Sequence, residues 1–416
     1  MNLRSKTSFL ASYLLSVFGY EFVFFVSILH IFKTTKNPLL AGLLTGFTTL
    51  PKFFAPFYGT LTDRFPKERL FRIAALSVAV LVVLMGAVDG LAAKFAFWFL
   101  IAFGLAILSN SRTVMMAEVM PGRGFVSGNA GIFISLNIAK LLAPLLAGYA
   151  VSRVSSQSLY AISALCYLLA VAATAFLDLP ESVKKRSAVG TLDQIRNALA
   201  YIRRTPNLLS LRYLLWTKAL FLGSQASLYV VYVKSYLGES DFHYGLFMTV
   251  ISLGSITGAL IAAGLGLRLR RLEVIVAGLT FQYASLIGLG FIHSYHAALG
   301  LMFSSFVFFY IAAIALHSVR DTSTDHAIRG TVYGTVNAIG APINIVSMLA
   351  GTWLAGRFGV EKVYAVGGTL ALLSMLGIVL SGNFNLQHAP RKEEDYDGTT
   401  RLAGGRHELQ PVLRDH

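Results

Sequence analysis

Four charged side chains interrupt stretches of sequence that are otherwise apolar: Glu21, Lys52, Lys140 and Lys218. Each falls near the middle of its run, where a charge costs about 2.5–3.5 kcal/mol on insertion scales. Such groups must face the interior of the protein or a watery cavity. A carboxylate held there can carry a proton or cation, or it can stand in a static ion pair that holds helices together, and the placement of Glu21 is compatible with both. Three lysines against one glutamate make the interior net positive, which favours an anionic or zwitterionic guest. Tyr20, Phe22, Phe24, Phe25, Phe53 and Phe54 gather around Glu21 and Lys52. Aromatic residues at helical spacing mostly fill bundles, and some can line an apolar pocket.

A second concentration of charge is the stretch GTLTDRFPKERLFR, Gly59 to Arg72. Arg64, Lys67, Arg69 and Arg72 are the basic residues expected of a loop on the cytoplasmic side of a membrane. Asp63 is not explained in that way.

These residues are carried by a chain of 416 residues that is 55% hydrophobic and 13% charged, with mean hydropathy +0.65. That is too little charge to cover a soluble domain. Twelve apolar runs, each of roughly 20 residues or more, recur between about residue 8 and residue 381. They are continuous rather than alternating, so α-helices and not a closed barrel must satisfy the backbone in lipid. The first run follows a short basic leader, MNLRSK, and reads as an uncleaved span.

The net charge of +15 would suit nucleic acid, but its distribution argues otherwise. Of 35 Lys and Arg, 25 fall in loops on the N-terminal side of an even-numbered topology. Seven fall on the other side: Lys33, Lys36, Lys94, Arg153, Lys234, Arg357 and Lys362. This bias puts both termini in the cytoplasm and makes the basic excess topogenic. The single Cys166 excludes a disulfide framework. His293 and His296 in IHSYH have no carboxylate or thiol nearby in sequence and read as loop residues, so no metal is expected. No Walker-type loop, nucleophile elbow or HExxH appears, so neither an enzyme nor a bound cofactor is expected.

The organisation is a duplication. Residues 1–177 and 208–381 each hold six runs, and 178–207 form a linker in which Leu192, Ile195, Leu199 and Ile202 share one face of an interfacial helix. Residues 382–416 are polar and expected to be disordered. Gly19-Tyr20-Glu21 corresponds to Gly223-Ser224-Gln225, Gly42-Leu43 to Gly245-Leu246, and the segment beginning at Arg112 to that beginning at Arg320. The second copy of the charged loop, GLGLRLRRLE, keeps Arg268, Arg270 and Arg271 but has no acid in the place of Asp63. Gly254, Gly258 and Ala262, like Gly124 and Gly128, form small-residue stripes for close helix packing. Pro51, Pro56, Pro144 and Pro342 can kink their helices.

The loop Gly59, Leu61, Asp63, Arg64, Lys67, Arg69 resembles the signature between spans two and three of the major facilitator superfamily, with Pro66 near the place of its second Gly. NIAKLLAPLLAG, RNALAYIRRTPNL and Pro51 are similar to features of its multidrug, macrolide and siderophore exporters. Ala143-Pro144 stands where that group's antiporter motif usually has Gly-Pro. FAPFYGTLTDRFPK also resembles the lysophospholipid transporters of the superfamily.

The resemblance implies an all-α membrane fold of twelve helices in two pseudo-symmetric bundles that rock about a central cavity. It implies a cytoplasmic gate of Gly59, Asp63, Arg64, Lys67, Arg69 and Arg112, with Asp63 at the start of the eleventh span and near Arg112. Glu21 would be the coupling residue, and Tyr20, Lys52, Lys140, Lys218 and Gln225 would line the substrate cavity. The expectation is a monomeric inner-membrane exporter of an amphiphilic small molecule, driven by protons. Uptake of an anionic metabolite or lysophospholipid, and a receptor-like protein on a transporter scaffold, are the other readings.

Overall fold

The computed structural model describes residues 3–54, 61, 65–119, 124–175, 177, 200–265, 272–324 and 329–380. Gly59, Asp63 and Arg64, most of the linker helix and the tail from residue 381 lie outside these, as does the side chain of Lys52; Gly124 and Gly128 are helical, but what their stripe packs against lies outside the description. Residues 200–204 of the linker are helical.

Apolar runs that cannot find water for their amides close their hydrogen bonds within each segment. The described helices are α1 (Leu3–Thr35), α2 (Pro38–Thr49), α3 (Lys67–Ala87), α4 (Leu91–Val119), α5 (Gly124–Ala150), α6 (Ser156–Thr174), α7 (Pro206–Leu222), α8 (Gln225–Val231), α9 (Asp241–Leu265), α10 (Leu272–Leu289), α11 (Tyr295–Thr322), α12 (Arg329–Phe358) and α13 (Val360–Leu380). Among the described residues nine helices are long and apolar enough to cross a bilayer, and α2 and α10 are shorter apolar helices. Taking α7, α8 and the π-helical turn Tyr232–Tyr236 as one interrupted segment, the helices make twelve crossing segments.

Local chemistry sets the ends. Asn37 caps α2 by accepting from the amide of Leu39, with Pro38 in the first turn where its missing N–H is harmless. Pro51 sits in the 3-10 turn Leu50–Phe54 that ends α2. Arg72, at the start of α3, pairs with Glu68 and donates from Nε to Thr174 Oγ1 at 2.8 Å and from its terminal nitrogen to Thr174 O at 3.0 Å. A residue expected only for topology therefore also donates to a carbonyl at the C-terminus of α6, one that accepts from the Leu177 amide as well.

Helix α1 packs on α5 and α6, and α3 on α4 and α6. In the second half α11 packs on α9 and α10, α13 on α10, and α12 on α7 and α13. The two sets meet mainly along α5 with α9 and along α2 with α12. Glycines make these seams possible. Gly42 and Gly245 are matched positions, and each lies at a seam: a Cβ on Gly42 would come within 2.4 Å of Thr352 Oγ1, and one on Gly245 within 2.5 Å of the carbonyl of Pro144. The stripe Gly254/Gly258 is used within the second set, against the backbone of Phe303 and Val307 on α11.

Candidate functional site

The first wall of the interior is built on α1, α4 and α5. Glu21 and Lys140 lie deep in the protein, and each keeps part of its surface accessible. They interact through space, and among the described residues Glu21 has no direct ion pair. Tyr13 and Tyr310 are also within electrostatic reach of Lys140, so this lysine faces α11 of the other set. Tyr20 stacks on Phe24 with ring centroids 6.1 Å apart. Arg112 donates to Ser16 Oγ at 2.9 Å and lies 4.8 Å over the Tyr13 ring. Its described hydrogen-bond and ring partners belong to α1, and Tyr167 of α6 is within electrostatic reach; Asp63, which the sequence placed near it, lies outside the described residues.

The backbone explains how Lys140 is held. Pro144 has no N–H to give to the carbonyl four residues earlier, that of Lys140. Ser252 Oγ on α9 shares its one proton between that carbonyl, at 3.1 Å, and the Met248 carbonyl of its own helix, at 3.0 Å, and Thr249 Oγ1 donates to the neighbouring Leu141 carbonyl at 2.9 Å. The break in one helix is stitched by hydroxyls of the other, which fixes Lys140 at the seam.

The second wall is built on α7, α8 and α11. Lys218 lies deep in the protein with part of its surface accessible, its ammonium 4.9 Å from the centre of the Phe309 ring. Arg320, 5% exposed, donates to His317 Nδ1 at 2.6 Å, and both lie within electrostatic reach of Lys218. Gln225, the match of Glu21, is buried, and its Nε2 has no hydrogen-bond partner among the described residues. His317 was missed from sequence. Its signal was the spacing of three from Arg320, one turn of the same helix face.

A further cluster joins the two sets at the end of the bundle where α1 stops. Asp241, the first residue of α9, accepts from Lys33 of α1 at 2.9 Å and forms an ion pair at 3.0 Å with Lys234 of the π-helical turn. Phe25 stacks on Tyr244 beneath it, with centroids 4.7 Å apart. Sequence reading had counted Lys33 and Lys234 as minority loop charges. Lys67, half-buried, begins α3 and Arg69 is exposed on it, so the described part of the expected gate is the start of that helix. Among the described residues no group of His, Cys, Asp and Glu could hold a metal ion.

Known proteins place this architecture. The curated "Multidrug resistance protein MdtG" of Dickeya zeae (strain Ech586) is 22% identical over 348 residues, covering 81% of this chain and 83% of that protein. Among solved structures, a mutant of the nucleoside transporter NupG superposes with a TM-score of 0.75 at 14% identity, covering 92% of this chain and 100% of the other. The human organic anion transporter MFSD10 does so with a TM-score of 0.64 at 18% identity, covering 91% and 100%. These structural likenesses are of fold alone. The profile of the Major Facilitator Superfamily matches residues 9–347, so a duplicated helical bundle around charged interior walls has its explanation: the chain belongs to the Major Facilitator Superfamily, and is a multi-pass membrane transporter of small molecules.

Proposed function

We propose that the protein is a secondary transporter of the inner membrane that exports an amphiphilic, anionic small molecule in exchange for protons. The observation that carries this reading is Glu21: a carboxyl group deep in the bundle, open to the interior and not locked in a direct ion pair with Lys140. A group so placed can exchange a proton as the cavity changes side. A permanent ion pair could not do so without breaking. Tyr20, Lys52, Lys140, Lys218 and Gln225 line the substrate path in this proposal.

The charge bias orients the chain with both termini cytoplasmic, so the Lys33–Asp241–Lys234 cluster closes the extracytoplasmic end. At the other end Gly59, Asp63, Arg64, Lys67, Arg69 and Arg112 form the gate, and the two closures alternate. Efflux is favoured over uptake by the relative named for multidrug resistance, and an anionic cargo by the excess of basic groups on both walls. One chain holds both walls, so a monomer suffices.

Purified protein in liposomes, offered organic anions, siderophores, lysophospholipids and cationic drugs with and without a pH gradient, tests the proposal. The expected result is movement of an anionic amphiphile that rises with a gradient opposed to its flux. Movement indifferent to the gradient contradicts proton exchange, and movement of cations alone contradicts the anionic cargo.

A further inference from the structure

The second wall has a chemistry that the sequence did not reveal. Arg320 donates to Nδ1 of His317, so the imidazole is neutral at that nitrogen and carries its proton on Nε2. The remaining ring nitrogen is then a donor. His317 is exposed, and Tyr310, seven residues earlier on the same face of α11, lies near Lys140 of the opposite set. The ring therefore looks into the space between the sets. Lys218 reaches the same region from α7, with part of its surface accessible. An ammonium and an N–H donor thus stand within electrostatic reach of each other, and the imidazole's one acceptor is already used by Arg320. Among the described residues no carboxylate stands within electrostatic reach of Lys218. The Phe309 ring under the ammonium supplies an apolar flank.

We infer that Lys218 and the Nε2–H of His317 form an oxyanion-binding subsite, with Arg320 as the positioning residue that fixes the imidazole, and that it receives the carboxylate or phosphate head of a solute whose aromatic or alkyl body lies along Phe309. This subsite deepens the transport reading and rests on it. The first wall is the weaker place for the anion, because Lys140 there already shares its field with Glu21. A donor-only surface rewards an oxyanion through charge-assisted hydrogen bonds and gives nothing comparable to a neutral or cationic analogue.

The test is equilibrium binding by calorimetry to the purified full-length protein, with phenyl phosphate, benzoate and the neutral benzamide as probes. Wild type binds at least one of the two anions more tightly than benzamide, and the anion preferred separates a phosphate head from a carboxylate head. Lys218→Gln weakens that binding roughly tenfold to a hundredfold. Lys218→Arg keeps it within about threefold, since charge and donors survive. His317→Leu, at an exposed position, weakens it by about tenfold and serves should Lys218→Gln fail to fold. Arg153→Gln, an exposed cation stacked on Tyr149 outside the cavity, leaves it unchanged and controls for loss of charge in general.

Benzamide bound as tightly as both anions, or anion binding indifferent to both Lys218 and His317, overturns the subsite. The transport reading is separated by the liposome assay on the same preparations. Transport that persists without dependence on Lys218 or His317 overturns the subsite alone. Lys218-dependent anion binding in a protein that moves none of the offered solutes upholds the subsite and overturns transport.

Discussion

The two interior walls stand at corresponding places in the two halves of the sequence and differ at one of the matched positions. Arg112 and Arg320 occupy matched places, and each is engaged by neighbouring side chains: Ser16 and Tyr13 in the first wall, His317 in the second. Glu21 and Gln225 also match, but one is an acid and the other an amide. Both walls carry a guanidinium, and only the first has a carboxyl group at this position. The proposed function reads that difference as a separation of two tasks. An acid with a lysine in its field suits proton exchange, and a wall of donors suits an anion. Keeping the acid away from the donors prevents it from competing for them.

The largest effect that would break this comparison is at the acid itself. Glu21→Gln gives the first wall the amide that Gln225 already is in the second, and transport driven by a pH gradient should fall to that of protein-free liposomes while the protein still inserts. Retained gradient-driven transport would show that the walls do not divide the work as proposed.

The next effect is at the seam that brings the walls together. Gly245→Val places a Cβ 2.5 Å from the Pro144 carbonyl, which is backbone and cannot swing away. The variant should lose about 1–3 kcal/mol of stability, seen as a lower melting temperature, together with most of its transport. An unchanged melting temperature would mean that α5 and α9 do not meet there.

Smaller changes adjust how long the walls stay closed at one end. Asp241→Asn removes the anion between Lys33 and Lys234 and leaves two ammonium groups facing each other. Lys33 is 44% exposed and solvent screens it, so the expected shift is about 1–2 kcal/mol toward the outward-open form, or roughly five- to thirtyfold in population. A cysteine introduced at Gln225 in a Cys166→Ser background should then react faster with a membrane-impermeant thiol reagent added outside. No change in rate would sink the clasp. Ser252→Ala withdraws the donor from the Lys140 carbonyl freed by Pro144, and about 1 kcal/mol of stability should go with it, read from thermal denaturation.

Much of the fold was legible because a bilayer leaves few choices: long apolar runs must be helices, and their number gives the segments. The matched glycines were legible too, and Gly42 and Gly245 proved to be the points where the sets touch. The interruption of the seventh segment at Gly223 and Ser224 was not, since the run from Leu208 to Tyr236 is apolar enough to read as one span despite Arg212, Lys218, Gln225 and Lys234, and hydropathy carries no record of a π-helical turn.

Interior charges were legible where one sat in an apolar run: Glu21, Lys140 and Lys218 all lie deep in the protein. The site was not legible where partners come from distant parts of the chain. Lys33 and Asp241 stand 208 residues apart, and no local pattern joins them. The basic residues on the minority side of the charge bias held the available clue. Several that topology does not explain have structural partners: Lys33 and Lys234 on Asp241, Lys94 at 3.1 Å from His30 Nε2, and Arg153 over Tyr149. His317 escaped because a lone histidine carries no pattern until Arg320 is seen against it.

The division of labour between the walls is tested most directly by recording internal pH in proteoliposomes while an anionic substrate moves down its own gradient, with wild type and Glu21→Gln side by side. The account predicts a substrate-dependent pH change in wild type and none in Glu21→Gln, with substrate still bound by both. A pH change of equal size in the two proteins would contradict it.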